Sequence, residues 1–388
     1  MGYLLFLALR QLRSRPWQST LLVASVSLGV AILTTALSLT NGFEKDLVER
    51  LLGTAPHVSV YEPLGGRLPA YEKEAERLRA IPGVRAVSPF VQGQGLMTTE
   101  AHRTVGVLVR GVDPVQEARH PAWRRYMVQG DLGIQTMGPG VVLGTAVARK
   151  LGLTLGDRVD LLTGVGKRHP LTVVGLFESG LYEFDAHIAF LKLDVARRAL
   201  GFGPTVSGLG LTLDDAFAAK AVASDVTRKT QLAASPWMDQ NRPLLDAMFL
   251  ERVVIFIVIL FIVLVAMMGI GSTMAMWVIE KNREIALLRA LGTPARDTGR
   301  LFVLLGTLIS ATGVMLGSLG GVLLSTLLHW FPLKLAGEVY FLSRLPVDMQ
   351  PRDFLLVGLA TLALSPVASL MPAWRAIRLD PIEVIRRT

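Results

Sequence analysis

The sequence contains no cysteine, and this absence removes several classes of function. None of the 388 residues is cysteine, so disulfide-bonded scaffolds, thiol catalysis and cysteine-ligated metal sites are excluded. The six histidines are scattered and do not have the spacing of a zinc site. Any part of the chain that lies outside the cytoplasm therefore has to fold without disulfides.

Charged residues are also scarce, at 18% of the chain against about 25% in soluble domains. The deficit is concentrated in long charge-free runs, and 51% of all residues are hydrophobic. This pattern indicates an integral membrane protein. The net charge of +9 does not indicate a nucleic-acid binder, because the basic residues lie largely beside the apolar runs and form no face interleaved with aromatic residues.

Four apolar runs are long enough to cross a bilayer, whose hydrocarbon core of about 30 Å takes about 20 helical residues. The sequence predicts these spans at residues 16–43, 249–279, 300–333 and 353–374. The first run is too long for a signal peptide, whose apolar region covers about 7–15 residues, and it has no convincing cleavage site. We therefore predict an α-helical membrane protein with four transmembrane helices.

Basic residues beside the spans predict their orientation. Residues 1–15 are predicted to form an amphipathic helix on the cytoplasmic membrane surface, with a disordered basic start as the alternative. The 280–299 loop and the 375–388 tail are also rich in arginine or lysine, whereas the charges of the short 334–352 loop are mixed. The positive-inside bias places both termini in the cytoplasm and the 334–352 loop outside it.

Residues 44–248 differ in character, with charges, glycines and prolines between short alternating runs. They predict a large α+β domain outside the cytoplasm, between the first and second spans. Residues 130–140 are either a junction between two subdomains or a loop within one domain. Strand-like alternation occurs near residues 58–60, 105–109, 159–161 and 171–173, and helical patterns occur at 71–80, 145–151, 194–200 and 214–229.

A short charged helix is predicted after the second span. The apolar residues Ile285, Leu288 and Leu291 recur at helical spacing between charges, and Gly292 and Pro294 predict its end. An amphipathic helix of this kind can place its apolar positions in a groove of a soluble subunit. The alternative is an interfacial loop that contacts only lipid headgroups.

Glycines recur at every fourth position of the third span, at Gly313, Gly317 and Gly321. Small residues at this spacing let two helix backbones approach closely, which matters in lipid because apolar burial does not drive helix association there. We predict that these glycines form a helix-packing seam. The alternative is that glycine is simply frequent in membrane helices.

The sequence has no catalytic set and no nucleotide-binding pattern. The GVGK stretch at 164–167 lacks the glycine and the Ser or Thr of a phosphate loop, so a β-hairpin turn is predicted there. The carboxylates Glu178, Glu183 and Asp185 suit acid–base chemistry, but an acidic turn after a strand is favoured. We therefore predict a non-catalytic chain, with no cofactor or metal of its own, that takes its energy from a partner.

Several stretches resemble a known family. The sequence EKNREIALLRALG at 280–292 resembles the coupling segment of ABC-transporter permeases of the MacB/FtsX superfamily, and PAWRAIRLDPIEVIR at 372–386 resembles their C-terminal signature. The order of one span, a large outer domain and three spans is similar as well. More narrowly, VVGLFESGLYEFDAHIAFL at 173–191 and VYFLSRLPVDMQPRDF at 339–354 resemble lipoprotein-releasing permeases of the LolC/LolE type.

The resemblance implies a multi-pass protein of the bacterial inner membrane whose residues 44–248 form a MacB-like periplasmic core domain. It implies a cytoplasmic ABC ATPase that binds ATP, a second permease copy or paralogue, a lipoprotein substrate and a periplasmic lipoprotein carrier. The motion of the ATPase is then transmitted across the membrane to release lipoproteins toward the outer membrane. The resemblance assigns ATPase coupling to Glu280, Arg283, Glu284, Leu287, Leu288, Arg289 and Gly292.

One departure from the family leaves carrier docking open, and two other functions also stay open. The hairpin at 162–171 is shorter than that of permeases that dock the carrier, so carrier docking by this chain is left open. The same architecture also suits a mechanotransmitting permease for another task, such as regulation of a cell-wall hydrolase or efflux of a peptide or drug. A receptor or a membrane-anchored enzyme that needs no ATPase is the third class.

Overall fold

The computed structural model describes residues 2–14, 16–63, 65–113, 125–130, 139–290, 293–330 and 345–377. The chain forms two compact units, a helical unit built from the two ends of the chain and a sheet unit built from Asp46–Ala247. In chain order the elements are α1 (Gly2–Ser14), α2 (Pro16–Thr54), β1 (Val58–Tyr61), α3 (Tyr71–Arg79), β2 (Val84–Thr98), β3 (Thr104–Val112), β4 (Met127–Gly130), β5 (Gly140–Gly144), α4 (Thr145–Leu151), β6 (Arg158–Thr163), β7 (Arg168–Phe177), α5 (Tyr182–His187), β8 (Ile188–Lys192), α6 (Leu193–Leu200), β9 (Gly208–Leu213), a 3₁₀ turn (Ala216–Ala218), α7 (Ala219–Thr230), β10 (Ala233–Pro236), α8 (Trp237–Gln240), α9 (Arg242–Glu280), α10 (Asn282–Ala290), α11 (Ala295–Trp330) and α12 (Pro351–Ile377).

Four of the described helices, α2, α9, α11 and α12, are long and apolar enough to cross a membrane. Each contains one predicted span, except that residues 331–333 of the third lie outside the described residues. The first two helices are longer than their spans, since α2 continues to Thr54 and α9 begins at Arg242. Helical hydrogen bonding does not require apolar side chains, so a helix can extend beyond its apolar run. Of the predicted loop and tail, residues 334–344 and 378–388 are also outside the described residues.

The sheet unit contains one ten-stranded mixed sheet. Its strand order is β10-β1-β9-β2-β3-β8-β5-β7-β4, and β6 pairs with both β2 and β7. The pairs β3–β8 and β5–β7 are parallel, and the other pairs are antiparallel. Buried residues of the helices, including Leu78, Val147 and Val226, share one apolar core with the strands. The predicted α+β architecture is therefore present, and all four predicted strand patterns fall within strands.

Three details of the sheet unit bear on predictions made from the sequence. The GVGK stretch is the turn of the β6–β7 hairpin, where Gly166 N donates to Thr163 O at 2.9 Å and Gly166 has a φ of +74°. Most of the 130–140 segment, residues 131–138, lies outside the described residues, and the strands before and after it, β4 and β5, both pair with β7 in one sheet. The helix predicted from residue 214 begins at Ala219, because Asp215 accepts a hydrogen bond from Phe217 N and forms a turn first.

The helical unit is closely packed where α11 meets α2. Gly313, Gly317 and Gly321 are buried there. A methyl group added at Gly317 would lie 2.6 Å from Ser27 O and 2.7 Å from Val30 Cβ, and one at Gly321 would overlap Thr34 Oγ1. The backbone and β-branched side chains of α2 occupy the space that any larger residue would need. The glycine repeat thus lies in an interface between α11 and α2.

The remaining helices join the same apolar core. A methyl group added at Gly306 of α11 would meet Ser369 on α12, and Trp277 Nε1 of α9 donates to Gln18 Oε1 of α2 at 2.6 Å. The fully buried Leu305 and Met274 lie in the cluster that these helices share. The unit therefore has a dense interior of small residues and apolar side chains.

We predict that Gly317→Ala lowers the stability of the purified protein by about 1–3 kcal/mol, because the added methyl group forces α11 and α2 apart. Gly269→Ala is the matched control, since a Cβ at Gly269 on α9 would meet nothing within 4 Å. Thermal melting in detergent measures both variants. Equal melting temperatures for the two variants would contradict the interpretation that the α11–α2 interface has no room for a side chain.

Candidate functional site at the coupling helix

The predicted coupling segment forms α10, which follows α9 after one intervening residue. Lys281 N donates to Trp277 O at 2.9 Å, and Ile285 N donates to Lys281 O at 2.9 Å. Helical hydrogen bonds therefore continue across the junction, and α10 is attached firmly to the end of α9. A displacement of α10 is expected to be passed on to α9.

The two faces of α10 have different surroundings. Ile285 and Ala286 are buried, and Ile285 belongs to the core cluster of the helical unit. Arg283, Glu284 and Leu287 are exposed, as is Glu280 at the end of α9. The side chains of Leu288 and Arg289, and Gly292 as a whole, lie outside the described residues.

Ile285 is therefore not available to a partner's groove, while the side chain of Leu288 and the whole of Leu291, the other apolar positions of that prediction, lie outside the described residues. The Ile285 side chain already belongs to the chain's own core cluster, which also contains Trp277 and Phe302. A helix with apolar residues at helical spacing buries that stripe against whatever is packed on it, and here that is the rest of the bundle. The surface of α10 left for another protein carries Arg283, Glu284 and Leu287.

This surface, which we call the coupling face, combines charge with one apolar side chain. Leu287 is 50% exposed, and Glu284 Oε1 lies 2.5 Å from Lys281 Nζ. The ion pair joins residues three apart on consecutive helical turns, so it holds the carboxylate near the α9–α10 junction. A leucine between opposite charges suits a small hydrophobic contact surrounded by hydrogen bonds.

The start of α11 contacts α1 through described side chains. Tyr3 Oη donates to Asp297 Oδ2 at 2.5 Å, and Arg300 Nη1 lies 3.2 Å from the other oxygen of Asp297. Ala8 of α1 is buried in the core of the helical unit, while Leu5 and Phe6 are exposed. The predicted N-terminal helix is present, with apolar residues on both its packed and its exposed sides.

The three carboxylates considered for acid–base chemistry do not converge. Glu183 and Asp185 lie on α5, which corrects the prediction of a simple acidic turn. Asp185 is fully buried and accepts hydrogen bonds from Ser179 N, Ser179 Oγ and Gly180 N. Burial raises the pKa of Asp185, and these hydrogen bonds oppose the rise. Glu183 instead lies on the surface beside His187. Asp185 is thus a structural group on α5 that holds the preceding 178–181 loop.

Among the residues that the structure describes, no three His, Asp or Glu side chains are arranged to hold a metal ion. The coupling face is the functional candidate that the sequence indicates.

Comparison with known proteins decides the family. The model of the MacB-like periplasmic core domain matches residues 19–229, and that of the FtsX-like permease C-terminal region matches residues 256–381. The lipoprotein-releasing system transmembrane protein LolC of Xylella fastidiosa (strain Temecula1) is 30% identical over 94% of this chain and 92% of its own length. The chain belongs to the ABC-transporter permeases of the LolC/LolE type.

Two further relatives agree with this assignment. LolC of Neisseria meningitidis serogroup B is 31% identical, over 94% of this chain and 92% of the relative. LolE of Haemophilus influenzae is 29% identical, over 93% of this chain and 92% of the relative. This LolC/LolE-type permease therefore combines membrane-crossing helices with a MacB-like periplasmic core domain, as the motifs indicated.

Two parts of the site were not predicted from the sequence of this LolC/LolE-type permease. Periodicity located α10 but did not show which side faces the bundle, because helical spacing gives an apolar stripe without naming what covers it. The Tyr3–Asp297 hydrogen bond joins residues 294 apart in the chain. No local pattern in the sequence signals a contact of that separation.

We predict that Ile285→Ala destabilises the purified permease by about 2–4 kcal/mol, because it leaves a cavity in a packed core. Leu287→Ala, two residues along the same helix, is expected to change stability by no more than about 0.5 kcal/mol, since this side chain is half exposed. Chemical or thermal unfolding in detergent compares them. The reverse order of effects would show that α10 presents its other face to the bundle.

Proposed function

We propose that this chain is the transmembrane permease of a lipoprotein-releasing ABC system in the bacterial inner membrane. The observation that carries the proposal is similarity to LolC and LolE proteins over more than nine-tenths of the chain. The coupling face supplies a physical entry point for energy, because it is exposed and is joined to a membrane-crossing helix. ATP is bound and hydrolysed by a separate cytoplasmic subunit.

In the proposed mechanism the ATPase pushes on the coupling face when it closes around ATP. Ile285 and Ala286 anchor the inner side of α10 in the bundle core, so the displacement moves packed helices as a body. Close-packed interiors transmit strain with little compression. The membrane helices then move the periplasmic domain, and the release of a lipoprotein from the membrane follows from that movement.

The proposed topology places both termini and α10 in the cytoplasm. The sheet unit, between α2 and α9 in chain order, is then periplasmic. The basic residues beside the spans support this orientation through the positive-inside bias. It puts the energy-receiving surface and the substrate-releasing domain on opposite sides of the membrane.

The proposed partners are an ABC ATPase, a second permease, a lipoprotein and a periplasmic carrier. Similarity of the same order to a LolC and to a LolE allows the second permease to be either another copy or a paralogue. The β6–β7 hairpin, which we compare with the carrier-docking hairpin of related permeases, has only residues 164–167 between its strands. We therefore assign carrier docking to another part of the complex. Hydrolase regulation and drug efflux are not favoured, since these relatives are lipoprotein-releasing proteins.

Depletion of the protein from its own cell is expected to leave acylated lipoproteins in the inner membrane, because the step that extracts them is lost. Membrane fractionation followed by detection of an outer-membrane lipoprotein measures the effect. Restoring the protein from a plasmid is the control. An unchanged distribution of lipoproteins after depletion would exclude this cargo.

Glu284→Ala combined with Leu287→Ala is expected to reduce ATP-driven lipoprotein release about tenfold or more, since both side chains belong to the coupling face and interface anchors often contribute over 1 kcal/mol each. Leu319→Ala is the control, because Leu319 is a similarly exposed leucine, at 69%, on α11. Release is measured with proteoliposomes that contain the complete complex. Full release by the double variant would remove the coupling face from the mechanism.

A further inference from the structure

The C-terminal end of α2, residues 46–54, belongs to the sheet unit and is held within it by two kinds of contact. Val48 and Leu52 are partly buried against the core of the sheet unit. Between them in sequence, Arg50 Nη1 donates to Ser179 O at 2.7 Å, across 129 residues of chain. The acceptor lies in the 178–181 loop, between β7 and α5.

Arg50 is held in position from its own helix. Its Nε donates to Asp46 Oδ2 at 2.7 Å, and Asp46 lies one turn earlier on α2. The guanidinium is planar and rigid, so fixing Nε on the carboxylate also fixes the direction in which Nη1 points. The guanidinium therefore forms a rigid connection between α2 and the loop.

The backbone of the loop accommodates the Arg50 guanidinium. Gly180 has a φ of +81°, and a Cβ at this position would overlap Arg50 Nη1. Asp185 accepts hydrogen bonds from Ser179 N, Ser179 Oγ and Gly180 N at 2.7–3.1 Å. A fully buried carboxylate with three donors holds the loop backbone in a single arrangement. Ser179 O is thus a fixed acceptor.

We infer that Arg50 is a positioning residue that fixes α2 to the sheet unit, so that movement of this membrane-crossing helix is delivered to the domain. This inference rests on the proposed function. Apolar contacts such as those of Val48 and Leu52 are non-directional and allow a helix to slide or rotate. A directional, charge-assisted hydrogen bond to a fixed carbonyl prevents that slippage. Gly180 is required because any side chain there displaces the guanidinium.

The test compares two substitutions on opposite sides of the contact, Arg50→Ala and Gly180→Ala, in the complete complex in proteoliposomes. Each is expected to lower the lipoprotein released per ATP hydrolysed about tenfold, the size of effect that fits one charge-assisted hydrogen bond. ATP hydrolysis itself is expected to stay at the unsubstituted level. The double variant is expected to be no worse than either single variant, since both remove one contact. Arg50→Lys, which keeps the charge but not the rigid fork, is expected to be intermediate.

Each substitution has a matched control in the same unit. Gly166→Ala also places a side chain at a φ of +74°, but with nothing within 4 Å, so it reproduces the backbone strain without the clash. Arg228→Ala removes an exposed arginine that is paired with Asp225 on its own helix. Both controls are expected to release lipoprotein normally. Equal loss in Gly180→Ala and Gly166→Ala would assign the effect to strain and overturn the inference.

A second measurement does not depend on a damaging substitution. The chain has no cysteine, so a spin label reacts only with cysteines that are introduced. We place two, Glu49→Cys on α2 and Glu183→Cys on α5, both at exposed positions. The distance between the labels is expected to stay constant between the nucleotide-free and ATP-bound complex. A change in that distance would show that α2 slides on the loop and would overturn the inference. If the unsubstituted complex releases no lipoprotein, the proposed function fails, while the label distances still test the attachment.

Discussion

The structure depends on the close approach of α11 to α2, which only glycine allows. In lipid the apolar surface of a helix gains nothing by meeting another helix, so association relies on dispersion contacts and interhelical hydrogen bonds. The absent side chains of Gly313, Gly317 and Gly321 let the α2 backbone and Val30 approach to contact distance. The resulting bundle is dense, and a dense bundle moves as a body and not by local compression. The proposed transmission of force across the membrane depends on this packing.

The two ends of the proposed transmission path use different chemistry, in keeping with their surroundings. At the coupling face, α10 buries Ile285 and Ala286 inward and leaves Arg283, Glu284 and Leu287 for a partner. At the other end, α2 is attached through Arg50 to a loop that the buried Asp185 holds in place. Apolar packing anchors both α10 and α2, and polar groups make the contact at each end directional. The proposed mechanism needs both, because the permease contributes to it through geometry.

Much of this architecture is readable from local sequence. Charge-free runs located the four long helices because their length reflects bilayer thickness, and alternation located β1, β3, β6 and β7 because the side-chain period of a strand is two. The fourfold spacing of Gly313, Gly317 and Gly321 indicated a packing face, although not that α2 covers it. The inward face of Ile285 and the bond from Arg50 to Ser179 were not predicted. Both depend on which distant segment packs nearby, and periodicity carries no information on that.

The measurement that tests the account most directly is cross-linking from the coupling face. With no native cysteine, Leu287→Cys and Leu319→Cys each give a single thiol for a photoreactive label in the membrane-embedded complex. The account predicts that illumination joins the label at residue 287 to the ATPase subunit and that the label at residue 319 reacts with lipid or another permease. No ATPase adduct at 287, or equal ATPase adducts at both positions, would contradict the claim that ATPase motion enters the permease through α10.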